Sequence, residues 1–230
     1  MLQLERNPFY SIGELARPEL RLAGLRIDPD YYFASRQRGY QSAVFVEVET
    51  GKKVQVTGLP DESTIVGYTW YPDTDKVLLF VKEIGPHRGI YLYSASVDNP
   101  YVNKIAPYRI NGTTGFQVAW INPSEFFMLV VSSAMPAMEM VSSGGPTGPK
   151  VEESSGEKKP ARTYQDLLKT KDDVYAFEHY FTSQLIRVSS DGCKEIGSPA
   201  IYADISISPD RNYLMTEVYQ SPYSFIVPLY

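Results

Sequence analysis

Three segments of the chain share one pattern of hydrophobic and polar positions: an alternating run, a turn around a proline, and a nearly continuous apolar run. They span residues 65–81, 116–131 and 205–218, and their turn prolines are Pro72, Pro123 and Pro209. Alternation with a period of two predicts a half-buried strand, and a short apolar run bounded by turn residues predicts a strand buried on both faces. Each segment is therefore predicted to form a tight antiparallel hairpin.

Second hairpins are predicted between these segments, at residues 43–57, 90–106 and 183–196. Together the two kinds of hairpin give a unit of four consecutive strands, A to D. Pro72 and Pro123 are 123 − 72 = 51 residues apart, close to the period of about 40 to 50 residues of a four-stranded propeller blade. The pattern predicts an all-β chain that forms a partial, open β-propeller of four-stranded antiparallel blades, interrupted by long loops and short helices.

The predicted organisation is a single incomplete domain, because a closed propeller needs at least about four blades. Its parts are a partial blade with a long N-terminal loop (1–58), a blade (59–110), a blade with an insertion at 135–180 (111–200) and a partial blade (201–230). Gly, Pro and Ser concentrate at 142–160 within the insertion. Short helices are expected near 11–23 and 163–180; in the second range Thr163 would begin a helix through Leu168, and Asp172 or Asp173 would cap a second turn toward Tyr180. The chain is expected to be a piece of a larger protein.

Strand direction predicts where the long connections lie. Antiparallel strands alternate in direction, so the A–B and C–D turns emerge on one face and the B–C and D–A connections on the other. The two long excursions, residues 5–40 and 135–180, both fit B–C connections. They are expected on the same face, where recognition usually resides.

Composition and charge argue against several classes of partner and site. The 230 residues carry a net charge of −5 with no basic cluster, so nucleic acid is not an expected partner. The longest apolar runs have five and six residues, which predicts no membrane span. One Cys and two widely separated His give no metal-binding pattern, and no cofactor motif is present. No signal peptide is visible, which leaves the compartment open.

Four strings carry a resemblance to a known family: GELARPELRLAGLRID at 13–28, RTYQDLL at 162–168, TSQL at 182–185 and PYSFIVP at 222–228. In wording and order they resemble the glutamyl endopeptidase-like branch of the prolyl oligopeptidase family of serine peptidases. That resemblance implies an N-terminal β-propeller that screens access to a C-terminal α/β-hydrolase domain with a Ser, Asp and His triad.

The chain departs from this family because it contains no Gly-x-Ser-x-Gly nucleophile elbow. No catalytic residue is predicted, and the chain is expected to be inactive by itself. Its expected role is to gate or bind peptide substrate for the α/β-hydrolase domain of the same parent protein. The alternative is a stand-alone propeller-like binding module without catalytic activity.

Arginine distribution supplies the candidate binding residues. Six of the eleven arginines precede the first lysine, Lys52. The resembled enzymes cleave after glutamate, and a guanidinium suits bidentate carboxylate binding. We therefore single out Arg26, Arg36 and Arg38 as substrate-binding candidates. The competing interpretation is that these arginines pair with nearby acidic residues, which are Glu5, Glu14, Glu19, Asp28 and Asp30.

Acidic residues near the second predicted helix are candidates for binding a substrate amine; they are Asp166, Asp172, Asp173 and Glu178. Helix capping and solvation are the competing explanation for these carboxylates. Asn111 begins a glycosylation sequon, Asn-Gly-Thr. The same three residues are also explained as a turn between a D and an A strand, which requires no glycan.

Overall fold

A computed structural model describes residues 1–6, 9–10, 12–134, 138 and 164–229. Within these ranges the chain is mostly β, as the pattern predicts, and nearly all strand pairs are antiparallel. The Gly/Pro/Ser-rich part of the insertion, 142–160, lies outside the described residues. No helix within the described ranges is long and apolar enough to span a membrane.

The elements in chain order are β1 (Leu2–Arg6), α1 (Ile12–Leu15), β2 (Leu20–Leu22), β3 (Leu25–Asp28), β4 (Phe33–Ala34), β5 (Tyr40–Val46), β6 (Lys53–Gln55), β7 (Thr64–Trp70), β8 (Val77–Glu83), β9 (Gly89–Ala95), β10 (Asn103–Lys104), β11 (Val118–Asn122), β12 (Glu125–Val131), α2 (Lys171–Phe181), β13 (Thr182–Ser189), β14 (Gly192–Ile207) and β15 (Leu214–Tyr219).

The three proline-centred hairpins are confirmed. They are the antiparallel pairs β7–β8, β11–β12 and β14–β15. Short polar side chains accept hydrogen bonds from backbone amides within two of these turns. The Ser124 amide donates to Asn122 Oδ1 at 2.9 Å, and the Tyr213 amide donates to Ser208 Oγ at 3.0 Å. The second hairpins are confirmed as well, as β5–β6, β9–β10 and β13–β14.

The strands form sheets larger than separate four-stranded blades. One sheet has seven strands in the order β1-β5-β7-β8-β9-β10, with β6 also paired to β5, and a second has the order β11-β12-β13-β14-β15. A single residue pair, Tyr40 with Ile65, joins β5 to β7. A turn between two blades was expected within residues 192–207, but β14 runs through them without a break for sixteen residues. A register shift at Gly197, whose φ is 63°, allows the strand to continue.

The core lies on both faces of the first sheet, as expected for the doubly apolar strand β8. Val77 and Leu79 face one cluster together with Phe45, while Leu78 and Phe80 face another. The second cluster also contains Phe126, Met128, Val130, Ile186 and Val188 of the second sheet. The two sheets therefore share one hydrophobic layer, which fixes their faces against each other.

The long N-terminal excursion is more ordered than a loop. Its helix is limited to α1, and a third sheet, β2-β3-β4, follows. Leu20, Leu22, Leu25 and Ile27 supply the apolar positions of a hairpin, and the turn residues Ala23 and Gly24 both have positive φ, 55° and 96°. Those angles match the two-residue turn that suits the twist of a hairpin. The short helix α1 lies within the predicted range 11–23, and the end of that range is strand β2 because this turn chemistry favours a hairpin.

Candidate functional site

The two long excursions meet on one side of the sheets. Leu22 and Ile27 of the third sheet pack with Phe177 and Phe181 of α2 in one buried cluster. The Gly24 amide donates to the Asp166 carbonyl at 2.9 Å. The predicted placement of both excursions on one face is confirmed for their described parts. We call this surface, built from the described residues of 9–38, 164–181 and 221–229, the elaborated face.

The segment after β15 also reaches the elaborated face. Tyr223 stacks edge-on against Phe177 with ring centroids 5.1 Å apart, and the Leu229 amide donates to the Ala23 carbonyl at 3.2 Å. β15 corresponds to a B strand in the repeat pattern. The position of the segment that follows it agrees with the strand-direction argument.

Short turns form the opposite side. The turns after β7 and β9 meet there, where the Val97 amide donates to Asp75 Oδ2 at 3.3 Å. A cavity of about 560 Å³ opens beside them and is lined by apolar residues such as Phe45, Val48 and Trp70. Neither excursion reaches this side within the described residues. The cavity side is therefore formed by short turns and apolar side chains, whereas the elaborated face carries the arginines of the N-terminal excursion.

α2 is fixed by a capping box that begins seven residues after Thr163, where the sequence pattern placed one. The N-cap is Thr170, whose hydroxyl accepts from the Asp173 amide at 3.1 Å, while the Asp173 carboxylate accepts from the Thr170 amide at 2.9 Å. Residues 164–170 are not helical. Thr163 itself lies outside the described residues, and the predicted helix through Leu168 is wrong. The predicted turn toward Tyr180 is present as α2, with Asp173 in its cap, because Thr170 and Asp173 have the spacing that satisfies both orphan amides.

Arg26 is paired across the two excursions. Its Nε lies 2.6 Å from Asp166 Oδ2, and Nη2 donates to Gln165 Oε1 at 3.4 Å. The hydrogen bond to Asp166 raises the pKa of Arg26. Arg21 also approaches Asp166, at 3.8 Å. The Arg26 guanidinium therefore already holds a carboxylate of its own chain.

Arg36 is paired as well, with Glu19. Arg36 Nε lies 3.5 Å from Glu19 Oε2, which also accepts from Ser35 Oγ at 2.5 Å. Burial alone would raise the pKa of Glu19, but the Ser35 hydrogen bond and the charges of Arg36 and Arg21 together outweigh it, and the pKa is lowered. Glu19 is therefore ionised at neutral pH and compensates the two cations beside it.

Arg38 has no carboxylate partner among the described residues. Its guanidinium lies over the rings of Phe9 and Tyr10, at 5.6 and 5.9 Å from their centroids. The side chain is exposed. Of the three predicted binding residues, Arg38 is the one whose charge is not met by an acidic side chain in the described structure.

Lys82, at the end of β8, was not among the sequence candidates. It is half-buried, its Nζ lies 4.1 Å above the Tyr31 ring, and it has no ion-pair partner among the described residues. Burial lowers the pKa of Lys82. The sequence signal that could have identified Lys82 is its position directly after the apolar run Val77–Val81, because a side chain there begins beside the buried part of the strand.

The acidic candidates have structural partners. Asp166 pairs with Arg26, and Asp173 caps α2. Glu178 hydrogen-bonds to Tyr223. Burial, followed by the charge and the hydrogen bond of Glu178, raises the pKa of Tyr223 to about 12. These contacts favour the structural explanation over binding of a substrate amine for all but Asp172.

The side chain of Asn111 is buried, and its amide group makes four hydrogen bonds. Its Nδ2 donates to the carbonyls of Tyr180 and Thr182 at 3.0 and 3.3 Å, and its Oδ1 accepts from the amide and hydroxyl of Thr113. The sequon is therefore inaccessible in the folded chain. The described residues contain no group of three His, Cys, Asp or Glu side chains suited to a metal.

Comparison with known proteins supplies relatives along the whole chain. A probable chloroplastic glutamyl endopeptidase of Oryza sativa subsp. japonica is 31% identical over 239 aligned residues, and one of Arabidopsis thaliana is 34% identical over 248. Each alignment covers 99% of this chain and 25% of the relative. The chain thus spans about a quarter of the length of these relatives. No family model matches it.

Proposed function

We propose that this chain, a homologue of the glutamyl endopeptidases as its sequence strings indicated, is the part of such a peptidase that binds and gates the peptide substrate. The observation that carries the proposal is the similarity along 99% of the chain to two proteins of that name. The chemistry would reside in an α/β-hydrolase domain of the same parent protein, with the triad that the family resemblance implies.

The described strands support a propeller as the architecture of this part. β7 to β10 pair in sequential order, as do β11 to β14, which is the strand order of a four-stranded blade. Apolar side chains of both sheets share one cluster, as neighbouring blades would. Residues 59–110 and 111–200 would then be two blades, flanked by the partial blades 1–58 and 201–230.

Gating is assigned to the elaborated face because both excursions lie there. Their cross-connections, Arg26 to Asp166 and Tyr32 to His179, hold them together. A peptide reaching the hydrolase domain would pass beside this arginine-rich surface. Loops held on a rigid scaffold are suited to selecting substrates by shape and charge.

The chain is not expected to perform the cleavage itself. It has no Gly-x-Ser-x-Gly elbow, and the His179 ring contacts Tyr32 instead of a serine. An activated serine needs a base within hydrogen-bond reach. A fluorophosphonate probe should therefore leave the 230-residue chain unlabelled.

The test begins with the open reading frame beyond Tyr230. The proposal expects a Gly-x-Ser-x-Gly followed by Asp and His, and a full-length product that cleaves after glutamate and is labelled by the fluorophosphonate probe. A stop codon directly after Tyr230, or stoichiometric labelling of the 230-residue chain, would overturn the proposal. The stop codon would favour a stand-alone binding module.

Gating itself is tested in that full-length protein. Cross-linking the two excursions, through cysteines replacing Arg26 and Asp166, should slow cleavage of a folded protein substrate more than that of a short glutamyl peptide. Reduction of the cross-link should restore the rate. Equal rates with the link closed and open would show that this face does not control access.

A further inference from the structure

A small crevice on the elaborated face lies at the ends of strands β5, β7 and β8. Its lining includes Tyr10, Arg38, Thr64, Lys82 and Ile84, and its volume is about 30 Å³. About 10 to 15 Å³ of such space holds one water-sized group. The crevice therefore has room for about two such groups, which matches the two oxygens of a carboxylate, while the rest of a ligand would stay outside.

Lys82 carries a charge that the fold leaves incompletely compensated. One side of its ammonium group contacts the Tyr31 ring at 4.1 Å, and no ion pair with a described acidic residue is made. The charged groups that influence it are Asp28, Glu14 and Asp30, which favour the cation, and Arg17, which opposes it. Half-burial raises the cost of leaving such a cation without a close anion.

The neighbouring acidic groups are committed elsewhere. Arg17 binds Asp28 at 2.9 Å and Asp30 at 2.8 Å, and Arg88 also binds Asp30, at 2.8 Å. Glu14 lines the same crevice and is engaged in a contact of its own. Arg38, on the crevice wall, adds a second cation without an acidic partner in the described structure.

We propose that Lys82 and Arg38 bind the side-chain carboxylate of an acidic residue in a peptide ligand. This inference rests on the proposed function, in which such a peptide passes over the elaborated face, and it identifies which cations hold the acid. Arg26 and Arg36 take no part because Asp166 and Glu19 already occupy them. Lys82 supplies the fixed, partly desolvated charge, and Arg38 supplies a second donor at the rim.

The test measures binding to the 230-residue chain by NMR, with N-acetyl-glutamate α-amide as the probe and N-acetyl-glutamine α-amide as its neutral match. We expect the glutamate probe to bind more tightly and to shift the amides around Thr64 and Lys82. Lys82→Met should weaken glutamate binding about tenfold and leave glutamine binding unchanged. Arg38→Gln should weaken it up to about fivefold, because the guanidinium is exposed.

Matched controls separate this site from general charge effects. Lys52→Met removes an exposed lysine on the opposite side, Arg187→Gln removes an arginine that is paired with Glu125, and both should bind the glutamate probe like the wild type. Lys82→Arg should restore part of the affinity. Equal binding of the two probes by the wild type, or unchanged glutamate binding by Lys82→Met, would overturn the proposal. If Lys82→Met does not fold, unchanged binding by the exposed variant Arg38→Gln would overturn it.

The two proposals fail in different ways. Loss of the carboxylate site would leave a full-length peptidase whose preference for glutamate survives Lys82→Met. Absence of a hydrolase domain would leave the binding difference between the two probes intact. Each result therefore bears on one proposal alone.

Discussion

The hydroxyl of Tyr32 lies 3.2 Å from Nε2 of His179, a contact that joins residues 147 positions apart. His179 is 2% exposed, and its Nδ1 has no hydrogen-bond partner among the residues that the structure describes. The ring of Tyr32 also packs against Tyr180 at 5.3 Å between centroids. The contact fastens the N-terminal excursion to the last turn of α2, and it does so with a neutral imidazole.

Stability should therefore fall at acidic pH. Burial lowers the pKa of His179 in the folded chain, so the unfolded chain binds a proton first as the pH falls below about 6.5. The contribution of the neutral ring is fully present above that pH and is lost as the pH falls toward the folded-state pKa. We expect a lower Tm at pH 5.5 than at pH 7.5.

Replacement of His179 isolates this effect. His179→Gln should reduce the difference in Tm between the two pH values, as measured by circular dichroism. His87 is exposed, so His87→Gln is the matched control and should retain the wild-type difference. An unchanged pH dependence in His179→Gln would assign the effect to other groups.

Asn111 should be important for stability. Asn111→Ala leaves the Tyr180 and Thr182 carbonyls and the Thr113 amide without their partner, and unsatisfied buried groups cost about 1 to 3 kcal/mol. Denaturant unfolding measures this loss. Asn103 is exposed, and Asn103→Ala should change the free energy of unfolding by less than about 0.5 kcal/mol. Equal losses in both variants would contradict the role given to Asn111.

Gly67 should not tolerate a methyl group. A Cβ at this position would lie 2.8 Å from the Phe116 ring, and that ring is stacked between Phe80 at 4.0 Å and Phe33 at 5.0 Å. Because the ring cannot easily move away, Gly67→Ala should cost about 1 to 3 kcal/mol. In a Phe116→Leu background the additional cost should be smaller; an undiminished cost would point to the backbone instead.

The isolated chain should self-associate through β15. This strand is the last of its sheet in the described structure, and Met215 is 65% exposed on it. Unpaired strand edges with apolar side chains favour edge-to-edge pairing. Met215→Lys should shift sedimentation toward the monomer, whereas Val48→Lys, on an exposed turn away from this edge, should not. A wild-type chain that is monomeric at high concentration would disprove this expectation.

The strand pattern was determined by the sequence alone because its causes are local. Period-two alternation, a proline-centred turn and a doubly apolar strand are written within about fifteen residues, and β7–β8 and β11–β12 follow them closely. Strand direction then fixed that the long connections share a face. The four strings at 13–28, 162–168, 182–185 and 222–228 also indicated the family in which the relatives are named.

The state of each cation was decided only by the tertiary structure. Arg26 and Asp166 are 140 residues apart, and no local pattern could show that this arginine is paired while Arg38 has no acidic partner in the described ranges. Lys82 became a candidate because its ammonium group contacts the ring of Tyr31, which lies in the turn between β3 and β4. Charge compensation depends on distances of a few ångströms between remote segments, whereas hydrophobic periodicity depends on neighbours along the chain. This difference explains why the antiparallel β character of the chain was predictable and the candidate carboxylate site was not.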